Sequence, residues 1–242
     1  MTPILEVIAS SLRDAVEAEQ GGAGRLEIVS ELSRGGLTPS FDLVAEIKQR
    51  VAIPVRVMLR ESDDFGVVDE SEIDRLCAAA ERFASLKVDG FVLGFLKAGE
   101  VDVALTQRVL AHAPHTRATF HHGFEATRDK SRALSAIKQL PQVDRILSHG
   151  GTDSLDLRVQ RLKQYAMMGA PELIVLAGGG INEDAIARII CETNVREFHV
   201  GRAARSQFQV EGSVQASLVR ALVCRLSNTT RAGVVYESRP VR

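Results

Sequence analysis

Eight short apolar segments, separated by stretches with helical periodicity, constrain the fold of this 242-residue chain more than any other feature. The segments are rich in Val, Ile, Leu and Phe and lie near residues 4–9, 25–30, 54–60, 90–95, 117–121, 144–148, 173–177 and 197–201. None alternates strictly between apolar and polar residues, as expected of strands that are covered on both faces. The segments therefore predict eight parallel strands joined by helices.

The stretches between the segments carry the helical repeat. In "SEIDRLCAAAERFASLK", apolar side chains recur every three to four residues from Ile73 to Phe83, a pattern typical of a helix with one buried face. "SLRDAVEAEQGGAG" predicts a helix that ends at its glycines. "SVQASLVRALVCRL" predicts the last helix.

Strand–helix alternation over this length predicts an α/β protein whose sheet closes into a single-domain (β/α)8 TIM barrel. The barrel is assigned to residues 1–228, and residues 229–242 form a C-terminal extension. The main alternative is an open doubly wound sheet, whose first strand–helix turn would carry GxGxxG. "EVIASSLRD" lies at that place and lacks the motif.

The composition indicates where in the cell the protein is located and which classes of partner are disfavoured. The formal net charge of −1 gives no basic surface for nucleic acid or a membrane. The three cysteines are widely spaced and form no CxxC pair, which suits a reducing compartment. The N-terminal residues do not resemble a signal peptide, and no apolar run reaches membrane-spanning length. We therefore expect a cytoplasmic protein.

Two acids lie in the first two predicted strands, Glu6 and Glu27. In a TIM barrel the active site forms at the carboxyl ends of the strands. If both side chains point inward, they share a low-dielectric space and the pKa of one of them rises. The alternative is that one acid pairs with Arg25, Arg56 or Arg60 in an ion network inside the barrel.

Histidines follow the fifth predicted strand as an adjacent pair, His121 and His122, so only one can face the barrel mouth. We predict that His121 is the general acid or base, with Glu6 or Glu27 as its partner and Arg60 opposing negative charge on a ligand. A core histidine satisfied by its neighbours is the alternative interpretation of His121. The candidate catalytic residues are His121, Glu6, Glu27 and Arg60.

Glycines follow the seventh and eighth predicted strands. "LAGGGIN" contains Gly178–Gly180, and "EFHVGRAAR" contains Gly201 and Arg202. Glycine lets backbone N–H groups approach an anion, and the following helix offers its positive end. TIM barrels often hold phosphate in these two places. The candidate anion-binding residues are Gly178, Gly179, Gly180, Gly201, Arg202, His149 and His199; the alternative is that the glycines only turn the chain.

Several reaction classes are disfavoured. No lysine ends a predicted strand, no GxSxG motif occurs and the cysteines fall on predicted helices. With no nucleotide cofactor motif, isomerase or lyase chemistry on a small phosphorylated or anionic metabolite fits the acids and histidines. A hard-metal site from Glu6, Glu27 and His121 stays open, so the metal and its ligands are unknown. A barrel that binds or acts as a scaffold without catalysis is a further alternative.

Taken in order, the motifs resemble the CutC family of copper-homeostasis proteins. They are "LEVIASSLRDAVEAEQGGAGRLEIVSELSRGGLTPS", "IPVRVMLR", "TFHHGFEATRD", "DRILSHGGTDS", "LAGGGIN" and "EFHV", and they cover about residues 4–205. The resemblance implies a TIM barrel, copper as the ligand and a homo-oligomer. The positions of the family's pattern that this chain keeps are Glu6, Glu27, Arg60, His121, Phe124, Gly178 to Gly180 and His199.

The chain departs from that pattern at the family's cysteines, since Ile8 and Val29 stand in their positions. Copper(I) prefers thiolate ligands, so these two replacements remove the soft donors that the resemblance implies. The family's "FHRAFD" reads "FHHGFE" here, and its "LTSG" reads "LSHG", which places His122 and His149 at the predicted site. The changes indicate a divergent member with a different ligand.

Overall fold

The computed structural model describes residues 3–237, with side chains described as far as residue 229. Eight parallel strands close into a barrel, and the first strand pairs with the last. The strands are β1 (Ile4–Ala9), β2 (Arg25–Ile28), β3 (Val55–Met58), β4 (Gly90–Leu93), β5 (Arg117–Phe120), β6 (Val143–Ser148), β7 (Ile174–Ala177) and β8 (Glu197–Val200). The predicted TIM barrel is confirmed, and each predicted apolar segment contains most or all of one strand.

Helices connect the strands and cover the outside of the barrel. They are α1 (Leu12–Gln20), α2 (Phe41–Arg50), α3 (Glu70–Ser85), α4 (Val103–Leu110), α5 (Gly123–Ala126), α6 (Lys130–Ile137), α7 (Leu155–Gly169), α8 (Glu183–Glu192) and α9 (Ala216–Glu237). The stripe predicted in α3 is buried at Leu76, Cys77, Ala80 and Phe83. The buried helix faces form one continuous core with outward-facing strand residues such as Phe91 and Phe198.

Side-chain caps fix where the helices begin. The Asn182 side chain accepts a hydrogen bond from the Ala185 amide at 2.9 Å and caps α8 directly after the three glycines. Ser11 caps α1 in the same way through the Asp14 amide at 3.1 Å. These caps satisfy amides that the first turn of a helix leaves unpaired, and they set the path of the chain at the carboxyl end of the barrel.

Two features lie outside the sequence prediction. A short hairpin of Leu96–Lys97 and Glu100–Val101 fills the connection after β4. The last helix runs through the predicted domain boundary at residue 228, and residues 238–242 of the predicted extension lie outside the described residues. Within residues 3–237, no helix combines the length and the apolar character needed to cross a bilayer.

The lower interior of the barrel holds charged rather than apolar side chains. Arg25 and Arg145 both donate to the Glu197 carboxylate, at 2.7 Å each. Arg145 also donates to Asp144 at 2.6 Å, and Arg56 donates to Asp144 at 2.9 Å. Burial of charges is tolerated when each is paired and hydrogen-bonded, so these strands are held together by alternating guanidinium and carboxylate groups.

We expect Glu197→Gln to lower the free energy of unfolding by about 3 kcal/mol, because it leaves two buried guanidinium groups without their shared carboxylate. Urea denaturation measures the loss. Glu192→Gln is the matched control, since Glu192 forms an exposed ion pair with Arg188 on α8 and its removal should leave stability unchanged. Equal stability of the two variants would contradict a structural role for the network.

Candidate functional site

A chain of polar contacts joins three neighbouring strands at the centre of the barrel. Glu6 on β1 is paired in register with His199 on β8 and with Arg25 on β2. Its carboxylate accepts a hydrogen bond from Arg25 Nε, and His199 Nδ1 lies 2.8 Å from its other oxygen. Glu6 therefore uses both oxygens within the protein, and all three side chains are buried.

Arg25 and His199 keep Glu6 ionised. Burial alone raises the pKa of a carboxyl group, but the Arg25 charge and the His199 hydrogen bond oppose it and lower the pKa of Glu6 far below its usual range. An ionised carboxylate can only accept hydrogen bonds. His199 Nδ1 must then be the donor, which leaves Nε2 as the ring nitrogen that faces the second acid.

Glu27 is the second acid, and it behaves differently from Glu6. Its Oε2 lies 3.3 Å from His199 Nε2, and its side chain is 3% exposed. Burial raises the pKa of Glu27 to about 7, with the Glu6 charge adding to the rise and the His199 and Arg25 charges limiting it. One of the two inward acids is thus held charged, and the other titrates near neutral pH.

His199 is poised between the two acids. Its burial favours the neutral imidazole, but the charges of Glu27 and Glu6 and the Glu6 hydrogen bond outweigh burial and raise its pKa. A buried carboxyl group and a buried imidazole whose pKa values are both raised are a frequent property of catalytic sites. The pair can hold or release a proton within the physiological range.

A cavity of about 310 Å³ opens above this pair at the carboxyl ends of the strands. Glu27 and His199 lie in its lining, together with His122, His149 and both glycine turns. Its size is in the range of small-molecule sites. The cavity brings all seven predicted anion-binding residues together with Glu27, one of the two predicted acids.

The two glycine turns that line the cavity contain unpaired backbone amides. Gly179 and Gly180 have positive φ angles of 66° and 68°, which glycine adopts without strain. A Cβ on Gly179 would lie 2.6 Å from the His149 Cβ, so the turn also needs the absence of a side chain. Among the described residues, no acceptor receives the amides of residues 179–181 or 201–203. These amides are the donors that an anion would use.

His122, rather than His121, faces the cavity. His121 Nδ1 accepts a hydrogen bond from the Gly123 amide at 3.1 Å, and its ring packs against Phe65 at a centroid distance of 5.3 Å. Burial and the neighbouring His122 and Arg60 lower its pKa well below the usual value. The predicted partnership of His121 with Glu6 or Glu27 is not formed; His199 pairs with both acids because β8 adjoins β1 whereas β5 lies across the barrel.

Burial and the Arg60 charge also lower the pKa of His122, to about 4. Its imidazole is therefore neutral at physiological pH and can donate or accept a hydrogen bond in the cavity. His122 is a functional candidate that sequence reasoning left undecided.

Arg60 acts on loops rather than on the cavity. Its guanidinium donates to the Gly36 and Arg34 carbonyls, at 3.2 and 3.4 Å, and to the Asp63 carbonyl. It also lies over the Phe65 ring at 5.3 Å. These contacts tie the loop after β2 to the loop after β3. Arg60 is absent from the lining of the main cavity.

Glu125 organises the loop that carries His149, a role that sequence reasoning missed. Its Oε1 accepts from Ser148 Oγ at 2.6 Å, from the His149 amide at 2.9 Å and from the Gly150 amide at 3.0 Å. The carboxylate lies one turn after β5, and the loop that it binds follows β6. The signal was the acid in "FHHGFE", but its partners become neighbours only when the barrel closes.

A cation would find three donors in one place. Ligand atoms of Glu6, Glu27 and His199 lie within 4.8 Å of one another, with His199 where the predicted hard-metal set had His121. Both Glu6 oxygens already have protein partners, including the Arg25 guanidinium. Glu27 and His199 Nε2 are the donors that remain open, and both are hard or intermediate ligands.

A thiolate copper(I) centre does not fit this site. Cys77 is buried on α3, whereas Cys191 and Cys224 are exposed on α8 and α9. The cavity is lined instead by Ile8 and Val29, the two positions that the resemblance assigns to cysteine. The site offers carboxylate and imidazole groups where copper(I) would need sulfur.

Fold and site together define a TIM-barrel protein with a buried acid–base pair below two glycine turns. The CutC family model matches residues 3–204, so this chain belongs to the CutC family. A family protein CutC from Xylella fastidiosa is 33% identical over 203 residues, covering 84% of this chain and 75% of that protein. The human copper homeostasis protein cutC homolog is 32% identical, covering 81% of this chain and 72% of that protein.

Solved structures agree on the fold. The putative copper homeostasis protein CutC from Streptococcus agalactiae superposes with a TM-score of 0.77 at 24% identity, covering 83% of this chain and 98% of that one. Phosphoribosyl anthranilate isomerase from Thermotoga maritima gives a TM-score of 0.64 at 12% identity, covering 94% of this chain and 100% of that one. At these identities the likeness supports the barrel and nothing finer.

The raised pKa of Glu27 makes stability depend on pH. A carboxyl group whose pKa is higher in the folded state stabilises the fold fully below its unfolded pKa, and this contribution is lost as the pH rises through the folded pKa. We expect the wild-type free energy of unfolding to fall by about 3 kcal/mol relative to Glu27→Gln between pH 4.5 and about 7. Urea denaturation across this range measures the difference. Glu192→Gln should follow the wild type, and parallel curves for wild type and Glu27→Gln would show that Glu27 is not perturbed.

Proposed function

We propose that this chain binds a small anionic metabolite in the barrel cavity and transfers a proton on it through Glu27 and His199. The observation that carries the proposal is the position of a carboxyl group with a pKa of about 7 in the same cavity as two turns of unpaired amides. A general acid or base works best when its pKa lies near the working pH. A general base beside an anion-binding site suits isomerase or lyase chemistry on a small anionic metabolite.

Each group has a distinct part in the proposed reaction. Glu27 accepts a proton from the substrate carbon next to a carbonyl group and later returns it, or passes it to a leaving group. His199 faces Glu27 through Nε2 and donates to the oxygen on which negative charge develops. Glu6 holds His199 in the orientation that this role needs, and it is a positioning residue. His199 thus takes the role that the sequence suggested for His121.

The anionic end of the ligand would bind at the two glycine turns. The amides of residues 179–181 lie immediately before Asn182, the N-cap of α8, and the positive end of the helix dipole favours negative charge near them. Gly201 and Arg202 line the cavity from the neighbouring loop after β8. Backbone amides together with a guanidinium group are suited to a phosphate, which has several acceptor oxygens.

A role in copper homeostasis is the second candidate function. It is favoured by family membership and by the names of the human and mouse relatives, both copper homeostasis protein cutC homologs. A direct role needs copper to bind through imidazole or carboxylate groups, since no cysteine is among the described residues that line the cavity. We also propose a cytoplasmic location, which the three free cysteines suit.

Inorganic phosphate tests the anion site. In a backbone amide NMR titration, we expect phosphate to shift the resonances of residues 179–181 and 201–203 in a saturable way. Arg202→Ala should weaken the binding of phosphate several-fold because it removes a charge-assisted donor. Arg220→Ala is the control, since Arg220 lies on α9 and bonds to the Gln20 carbonyl. Shifts confined to other residues would contradict the assignment of the glycine turns.

Solvent deuterium tests the proton transfer. We incubate the protein in D₂O with a panel of carbonyl-bearing phosphate monoesters and follow deuterium incorporation by mass spectrometry. An active compound should gain deuterium, and Glu27→Gln should slow its incorporation by about 10²–10⁴-fold because the general base is lost. Glu192→Gln should retain the wild-type rate. Undiminished exchange in Glu27→Gln would exclude Glu27 as the base.

Calorimetry with copper(I) under reducing conditions tests the second candidate. A direct copper role requires a one-to-one site that persists when all three cysteines are replaced by serine and disappears in His199→Gln. Because the described site offers no thiolate, we expect no binding tighter than micromolar, about −8 kcal/mol. A tighter one-to-one site with this mutational profile would establish copper as a direct ligand.

A further inference from the structure

The cavity has a face that the proposed proton transfer does not use. Side chains from the β1–β3 side of the barrel form an apolar wall, which we define as Ile8, Val29, Leu32 and Met58. Val29 and Met58 pack with Val92 in a hydrophobic cluster separate from the main core, and Ile8 and Leu32 pack against this cluster. The wall is therefore a distinct apolar surface that faces the cavity.

The wall contains no hydrogen-bond donor, and its only acceptor is the weak thioether sulfur of Met58. A hydroxyl group pressed against it would lose its bonds to water without replacement, which costs binding free energy. Aromatic or aliphatic carbon against the same surface would gain from leaving water. The wall thus favours a ligand with an aromatic or aliphatic body over a ligand that carries hydroxyl groups.

The polar side chains that line the cavity lie outside the apolar wall, and besides the groups of the proposed reaction they are His122 and His149. The glycine turns and Arg202 provide donors for an anionic group, and the Glu27–His199 pair provides one proton-transfer centre. A cavity of about 310 Å³ has roughly twice the volume of the 150 Å³ cavity that holds benzene. The space suits one ring, or an alkyl chain of similar size, joined to one phosphate.

We propose that the ligand is a phosphate monoester with an aromatic or aliphatic body, and not a polyhydroxylated sugar phosphate. The phosphate binds at the glycine turns, and the body lies against Ile8, Val29 and Met58. This inference rests on the proposed anion site, and it adds the chemical class of the molecule that the site accepts.

Calorimetry on the full chain with three probes tests the inference. The probes are inorganic phosphate, phenyl phosphate and glucose 6-phosphate, which differ in the group attached to the phosphate. We expect phenyl phosphate to bind at least tenfold more tightly than the other two, since it alone places apolar carbon on the wall. Equal or tighter binding of glucose 6-phosphate would overturn the inference. In that outcome the anion site stands, because inorganic phosphate still binds at residues 179–181 and 201–203.

Substitution of the wall gives a second, independent arm. Val29→Thr exchanges a methyl group for a hydroxyl and should weaken phenyl phosphate binding about fivefold, while inorganic phosphate binding stays unchanged. Ile8→Thr repeats the test at a less buried position in case Val29→Thr fails to fold. Val68→Thr is the control, since Val68 is 82% exposed. Unchanged phenyl phosphate binding in the folded wall variants would overturn the inference, and failure of all three probes to bind would overturn the proposed function itself.

Discussion

The buried Glu6 carboxylate is the interaction on which the site depends. It joins β1 to both of its neighbours, through Arg25 on β2 and His199 on β8. Closure of the barrel is what makes β8 a neighbour of β1, because these strands are separated by almost the whole chain. The same closure places the charged network of Arg25, Glu197 and Arg145 directly below. The same buried ionic contacts therefore stabilise the barrel and fix the geometry of the site.

The contrast between the two inward acids gives the site its chemistry. Both oxygens of Glu6 contact protein partners, and this carboxylate stays charged. Glu27 lines the cavity, and its Oε2 lies 3.3 Å from His199 Nε2. Two carboxyl groups in similar burial thus acquire different pKa values through their partners. The glycine turns add unpaired amides to the cavity, and the apolar wall supplies part of its lining.

Local patterns were enough to predict the strands, since each strand is encoded by a short, contiguous run of apolar residues. The residues of the site could be predicted only in part from the sequence. Glu6 and Glu27 were identified from their strand positions, but the imidazole that joins them is His199 and not His121. That choice depends on which strands become neighbours and on the turn into α5 that directs His122 to the cavity. The two-residue hairpin strands and the Glu125 contacts also depend on tertiary packing, so no local pattern could reveal them.

The protonation state of the His199 ring shows whether Glu6 orients this imidazole between the two acids. Nitrogen-15 NMR of the imidazole across a pH titration distinguishes the two ring nitrogens. We expect Nδ1 to keep its proton throughout, because it donates a hydrogen bond to ionised Glu6, and we expect Nε2 to titrate with a pKa above the usual value of 6.5 for histidine. A ring that loses its Nδ1 proton first, or that titrates below 6.5, would show that Glu6 does not hold His199 between the two acids.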